Sequence, residues 1–365
     1  MRIEKTVETV VNRVIRNAKR SIVKEEVIQK ERIDYASLKE IHIITSSINV
    51  EVTSHDQPHI DIVLKTYKDG PEMKLNLENH VLEITAFKPN QQQTFFGLFP
   101  STKMQLVVPT AVAEKWDVRT GSGDVRFSKV IMDQLTVNVG SGDINLSDME
   151  AGQLNLRCAS GDVKAKNMKS DTLYVNSSSG DMVLRKLAVS NVKTEMSSGD
   201  ILIADLQGED LEVKIASGDV DLKKINIVKG TVVSRTGVVK ANHVQAEMLT
   251  INTKTGDMNI KEFSGSLNGS IGAGDLKLDV REECIVNLEA NSGDITVKLD
   301  HEIGLNATVD ITSDSEEIST NLPLQVQNDS SRLIGVTGEG ENAIRINSKS
   351  GDVKVLMQEV ENVQG

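Results

Sequence analysis

The chain has 365 residues, with 41 Lys+Arg against 53 Asp+Glu, and a net charge of −12. That balance argues against nucleic acid as the partner, because neutralising phosphates needs a basic face. Aromatic residues make up only 3%, which suits a narrow core of branched aliphatics.

Residues 1–35 are read as a basic amphipathic helix. Ile3, Val7, Val10, Val11, Val14, Ala18 and Ile22 recur at helical spacing, and Arg13, Arg16, Lys19 and Arg20 lie on the other face. Residues 1–32 hold nine Lys+Arg and five Asp+Glu, a net +4, which leaves −16 for the remainder. Such asymmetry fits a helix lying on an anionic membrane surface. It also fits a cap over the first rung of a repeat body.

Residues 36–119 read as an irregular β entry module. Ile41 to Val52 alternates, and Ser46-Ser47-Ile48-Asn49-Val50 resembles a degenerate copy of the turn described below. Lys68-Asp69-Gly70-Pro71 and Glu78-Asn79-His80 are turn signals. Between them and Met104 lies a loop-like segment with three of the six phenylalanines, Phe95, Phe96 and Phe99. They are either tucked against the body or offered to a partner or bilayer. Trp116 is placed at the junction with the regular repeat.

Residues 120–300 are one tripeptide repeated, Ser-Gly-Asp or a near copy. It gives the pairs Gly123–Asp124, Gly142–Asp143, Gly161–Asp162, Gly180–Asp181, Gly199–Asp200, Gly218–Asp219, Gly256–Asp257, Gly274–Asp275 and Gly293–Asp294, with Gly237 followed by Val238 instead. The spacing is 19 residues, with a single interval of 18. A period of about 20 residues marks a solenoid. Alternating apolar residues flank each turn, as in half-buried strands. Val130, Met149, Met168, Leu187, Leu206, Ile225, Val244 and Phe263 form a further apolar column. The predicted body is all-β, a single-stranded parallel β-solenoid whose rungs stack roughly 4.8 Å apart. Glycine supplies φ > 0 at each corner, and the aspartate is expected to fold back on nearby backbone N–H groups.

Residues 301–357 hold degenerate terminal coils. Residues 323–343 read as an exposed loop, Ser350-Gly351-Asp352 as a last turn, and 358–365 as a fraying tail.

These turns, with Val108-Pro109-Thr110 and Thr120-Gly121-Ser122-Gly123-Asp124-Val125 before them, resemble the bacterial "putative adhesin" β-strand-repeat family. It is also called the toastrack domain, and the chain is similar to its YvlB-type members. The resemblance covers roughly residues 40–357. It implies a β-repeat body associated with envelope-stress systems, alongside membrane proteins of the phage-shock type, and it brings no catalytic residues.

Candidate chemistry is sparse. Stacked aspartates repel unless hydrogen-bonded or bridged by cations, but the 19-residue unit lacks the Gly and Asp density of calcium β-rolls, and turn formation is the better reading. His55 and His59 make a His-x3-His on a Pro-bearing turn, weak without further ligands. Cys158 and Cys284 fall on inward positions and read as small core hydrophobes. No phosphate loop, nucleophile elbow or Cys-x-x-Cys is present. The reading is therefore no enzyme, no cofactor and no metal.

The leading expectation is a non-enzymatic scaffold or sensor of cell-envelope stress at the cytoplasmic membrane surface. No secretory segment and no 18-residue apolar run is found, so a cytoplasmic chain is expected, peripheral to the inner face of the membrane. Its partners would be membrane proteins of the phage-shock type or anionic lipid. Open sheet edges would also permit end-to-end homo-oligomers. The alternatives are a surface adhesin or polysaccharide binder and, third, a glycan-active β-helix enzyme.

Overall fold

The computed structural model describes residues 3–10, 26–34, 38–88, 101–314, 317–329 and 331–358. The chain divides into two compact units, 1–180 and 181–365. Each is a parallel β-solenoid.

In the first unit, Val125–Ser128, Ile144–Ser160 and Val163–Ser179 stack in register. Val125 lies on Ile144 and Ile144 on Val163. The seven inward positions of the middle coil are Ile144, Leu146, Met149, Ala151, Leu154, Leu156 and Cys158, all buried. The expected Val130, Met149 and Met168 column is present and buried. The residue before each member, Lys129, Asp148 and Asn167, has φ of 54–58°. This left-handed corner swings the chain so that the next side chain again points inward.

The Gly turn is tighter. Gly142 has φ +138°, and a Cβ there would lie 2.5 Å from the carbonyl oxygen of Gly123, one coil earlier. Glycine is required for its conformation and for the close approach of stacked backbones.

The degenerate turn at 46–50 takes its place in the same stack. Val50 pairs with Val125, and the Asp124 N–H donates to Asn49 Oδ1 at 2.9 Å. Lys103–Pro109 pairs parallel with Asn49–His55, His59–Tyr67 pairs antiparallel with Lys103–Pro109, and Glu26–Asp34 pairs antiparallel with His59–Tyr67. Ile3–Val10 completes the series on Glu26–Asp34. Antiparallel strands thus cover the first sheet edge, which otherwise invites pairing with another chain. Trp116 is buried at the junction, edge-on to Phe127 with centroids 5.3 Å apart.

The helix expected over 1–35 is corrected at both ends, where Ile3–Val10 and Glu26–Asp34 are strands. Five of the eight residues in Ile3–Val10 are β-branched. Such side chains are stiff at χ1 and favour the pleated surface, and an open sheet edge supplies the backbone partners. Residues 11–25 lie outside the described residues.

The second unit repeats the scheme from Met182 to Leu299. Its left-handed corners are Lys186, Asp205, Lys224, His243 and Glu262. The 18-residue interval arises where Ala246 pairs with Gly265 and Met248 with Ser266, so that Glu247 has no counterpart. The last turn stacks between two earlier coils, with Ser348 paired to Ser313 and Val353 to Ile318 on one side. Asp352 donates its N–H to Asp294 Oδ1, and Val353 pairs with Ile295, 58 residues earlier. The residues between form an excursion: a four-residue helix capped by Asp300, the strand Ala307–Ser313, and a hairpin of Gln325–Asp329 with Arg332–Val336. Within the exposed loop expected at 323–343, Gln325–Asp329 and Arg332–Val336 are therefore corrected to strands, while 337–341 is irregular. The run carries enough apolar residues to pair against Ala307–Ser313 and bury Leu333.

Candidate functional site

The aspartate column is the first candidate, and its geometry gives it a structural task. In the first unit the Asp143 N–H donates to Asp124 Oδ1 at 3.1 Å, and the Asp162 N–H to Asp143 Oδ1 at 2.9 Å. In the second, Asp200, Asp219, Val238, Asp275, Asp294 and Asp352 donate in the same way to Asp181, Asp200, Asp219, Asp257, Asp275 and Asp294. The carboxylates bond between coils; the expected fold-back within one turn is replaced by this ladder. Each accepts an N–H that the corner would leave unpaired. The second oxygens of Asp124 and Asp162 meet Arg126 and Lys164 at 2.8 and 2.9 Å.

A groove of about 470 Å³ lies beside these turns in the first unit. Its floor is made by Gly121, Gly140 and Ala159, too small to fill the outer face next to the corner. Its wall is a register column in which Arg119, Asn138, Arg157 and Asn176 follow one another coil by coil, roughly 4.8 Å apart. Arg119 is paired with Asp117 at 2.6 Å. Arg157 is exposed and has no ion-pair partner among the described residues. This wall offers the Asn138 amide and, in Arg157, a guanidinium without an ion-pair partner among the described residues, suited to an oxyanion or a polyol. Sequence reading missed it, because members of the column are 19 residues apart and singly unremarkable.

Beneath the groove, Cys158 is buried and donates its thiol to the Gly142 carbonyl at 3.3 Å. Burial, then the Asp143 carboxylate, push this thiol up. In the second unit burial pushes Cys284 up to about 12. Neither is a nucleophile in this state.

The second unit has an acidic concavity of about 720 Å³, with Glu282, Glu283, Asp300 and Glu302 among its lining residues. Arg13, Arg16, Lys19, Arg20, Phe95, Phe96 and Phe99, expected to touch membrane or partner, lie outside the described residues. Among the described residues no helix is long and apolar enough to cross a membrane.

The family model described as Toastrack DUF4097 matches the chain twice, over residues 38–209 and 195–356. The chain belongs to the Toastrack family. Its fold has likenesses among solved structures. A "putative cell adhesion protein" from Clostridium sporogenes is 9% identical, with 98% of this chain and 100% of that one covered and a TM-score of 0.18. A "putative adhesin" from Bacteroides fragilis is 11% identical, with 91% and 97% covered and a TM-score of 0.28. A "putative lipid binding protein" from Parabacteroides distasonis is 12% identical, with the same coverage and a TM-score of 0.27. At such TM-scores these likenesses decide nothing about this Toastrack chain. No curated protein matches it.

Proposed function

We propose that this Toastrack protein is a non-catalytic scaffold of the cell-envelope stress response, working at the cytoplasmic face of the membrane. The groove of the first unit takes an anionic partner there, and the segment carrying Arg13, Arg16, Lys19 and Arg20 adds electrostatic attraction to anionic lipid. The observation that carries the reading is Arg157, a cation without an ion-pair partner among the described residues, on the wall of a concave surface in a chain of net charge −12. The aspartate ladder supports the non-catalytic part. The acids a glycan-cleaving enzyme would need in pairs are occupied here in holding coil to coil. Membrane proteins of the phage-shock type are the protein partners proposed, on the family resemblance.

Flotation of the full chain with phosphatidylglycerol and with phosphatidylcholine vesicles tests this. Binding to the anionic vesicles alone, released by salt and weakened in Arg157→Gln and in the quadruple Gln variant of the four basic residues, is the expected result. No flotation with either vesicle would overturn the lipid arm. A second reading, a surface polysaccharide binder, is favoured by Asn138 and Asn176 on the same wall. Protease shaving of intact cells separates the two, since only an exported chain would be cut.

A further inference from the structure

His55 and His59 close the turn 56–58, which joins the strand Asn49–His55 to His59–Tyr67. Both strands lie against Lys103–Pro109, one parallel and one antiparallel. The short connection therefore brings the two imidazoles together, with ring centroids 5.1 Å apart. Asp61 stands two residues beyond His59, on the same face of its strand. Its Oδ2 is 3.2 Å from His59 Nε2. One ligand atom from each of the three lies within 4.8 Å of the other two.

The surroundings hold these groups in place. Arg32, the cross-strand neighbour of Asp61, places Nε 2.7 Å from Oδ1 and Nη2 3.3 Å from Oδ2. The Gln57 N–H donates to His55 Nδ1 at 3.0 Å, so in the neutral ring Nδ1 carries the lone pair an ion would need and Nε2 the proton, and Nε2 is buried with no hydrogen-bond partner among the described residues. A buried polar atom left unpaired is costly, about 1–3 kcal/mol. Asp34, the cross-strand neighbour of His59, adds a second carboxylate nearby.

We propose that His55, His59 and Asp61 form a binding site for a divalent transition-metal ion, with Zn2+ the best match. Two imidazoles and one carboxylate are a donor set that zinc accepts, three protein ligands leaving a fourth position for water. Metal–ligand bonds of roughly 2.0–2.2 Å need a tighter triangle than the one seen, and side-chain rotation at an exposed turn supplies the closure. Arg32 grips both Asp61 oxygens, so ligation requires Oδ2 to give up its longer 3.3 Å bond to Nη2 while the 2.7 Å Nε bond to Oδ1 keeps the carboxylate oriented. The site is independent of the groove and of the scaffold reading above.

The test is titration of the EDTA-stripped full chain with ZnCl2 by calorimetry, and with Co2+ by visible absorption. One equivalent of Zn2+ per chain is expected, together with the intense bands of four-coordinate Co2+ in place of the weak bands of the aqua ion. His55→Ala and His59→Ala should each weaken Zn2+ binding at least 10-fold, with melting temperatures in EDTA recorded to show that the variants fold. The wild-type Co2+ spectrum needs no variant. Its absence together with no heat of Zn2+ binding would overturn the site, as would unchanged stoichiometry and affinity in the double variant.

Discussion

The backbone N–H of Asp143 donates to the carboxylate of Asp124, 3.1 Å away and one full coil earlier. The same bond recurs wherever an aspartate follows the turn glycine in adjacent described coils of one unit, and Asn49 supplies the acceptor where the repeat begins. The side chain needed is an acceptor of that length; the charge is incidental. Asp143→Asn should therefore leave thermal stability nearly unchanged, while Asp143→Ala strands the Asp162 N–H and costs about 1–2 kcal/mol. Urea unfolding of the two variants decides it, and equal losses would count against the ladder.

The ladder has a gap in the second unit. Val238 donates to Asp219 but offers no acceptor to Asp257, the next coil's donor. Val238→Asn restores one and is expected to stabilise by about 0.5–1.5 kcal/mol, read as a raised melting temperature.

Two kinds of positive-φ corner respond oppositely to substitution. Gly142→Ala sets a Cβ against the Gly123 carbonyl at an unfavourable φ and should cost about 3 kcal/mol or more. Lys224, exposed at φ 53°, carries a side chain in a conformation that disfavours one by about 1–2 kcal/mol. Glycine regains that at a chain-entropy cost of about 0.5–1 kcal/mol. Lys224→Gly should thus be neutral to slightly stabilising in thermal melts, where any other exposed strand lysine would lose stability.

Acid sensitivity should show at Glu51. Its hydrogen bond to Lys103, then that to Gln105, hold the carboxyl below its ordinary value of 4.5. A group lowered in the folded state contributes stability above its unfolded value and loses it as pH falls through the folded one. Glu51→Gln should therefore flatten the fall in melting temperature below about pH 4.5, with little change at pH 7 because the pair is partly exposed. Melting curves from pH 7 to pH 3 for both chains check it.

Thiol reactivity gives a further readout. With Cys284 pushed up to about 12 and buried, and Cys158 buried in its own unit, maleimide at pH 7 should label neither in the native state and both in urea. Rapid native labelling would show that these core positions open.

Much of the architecture could be read along the chain because it is periodic along the chain. A 19-residue spacing of Gly–Asp, with apolar residues alternating on either side, expresses a local rule: the same backbone path and inward positions in every coil. It even located the disguised turn at Ser46–Val50, because the alternation persists where the glycine has been lost. Tertiary structure alone decided which coil sits on which. Gly351 stacks on Gly293 across a 58-residue excursion, and no local pattern encodes a partner so distant. The same holds for each Asp carboxylate, whose donor is one coil away, and for Arg119, Asn138, Arg157 and Asn176, which become a wall only once the coils are in register. His55 and His59 were visible as a pair; Asp61 joined them through the two-residue alternation of its strand, and Arg32 only through strand pairing. At Ile3–Val10, helical spacing yielded to an open sheet edge, because unpaired backbone groups on a neighbouring strand outweigh a weak local preference.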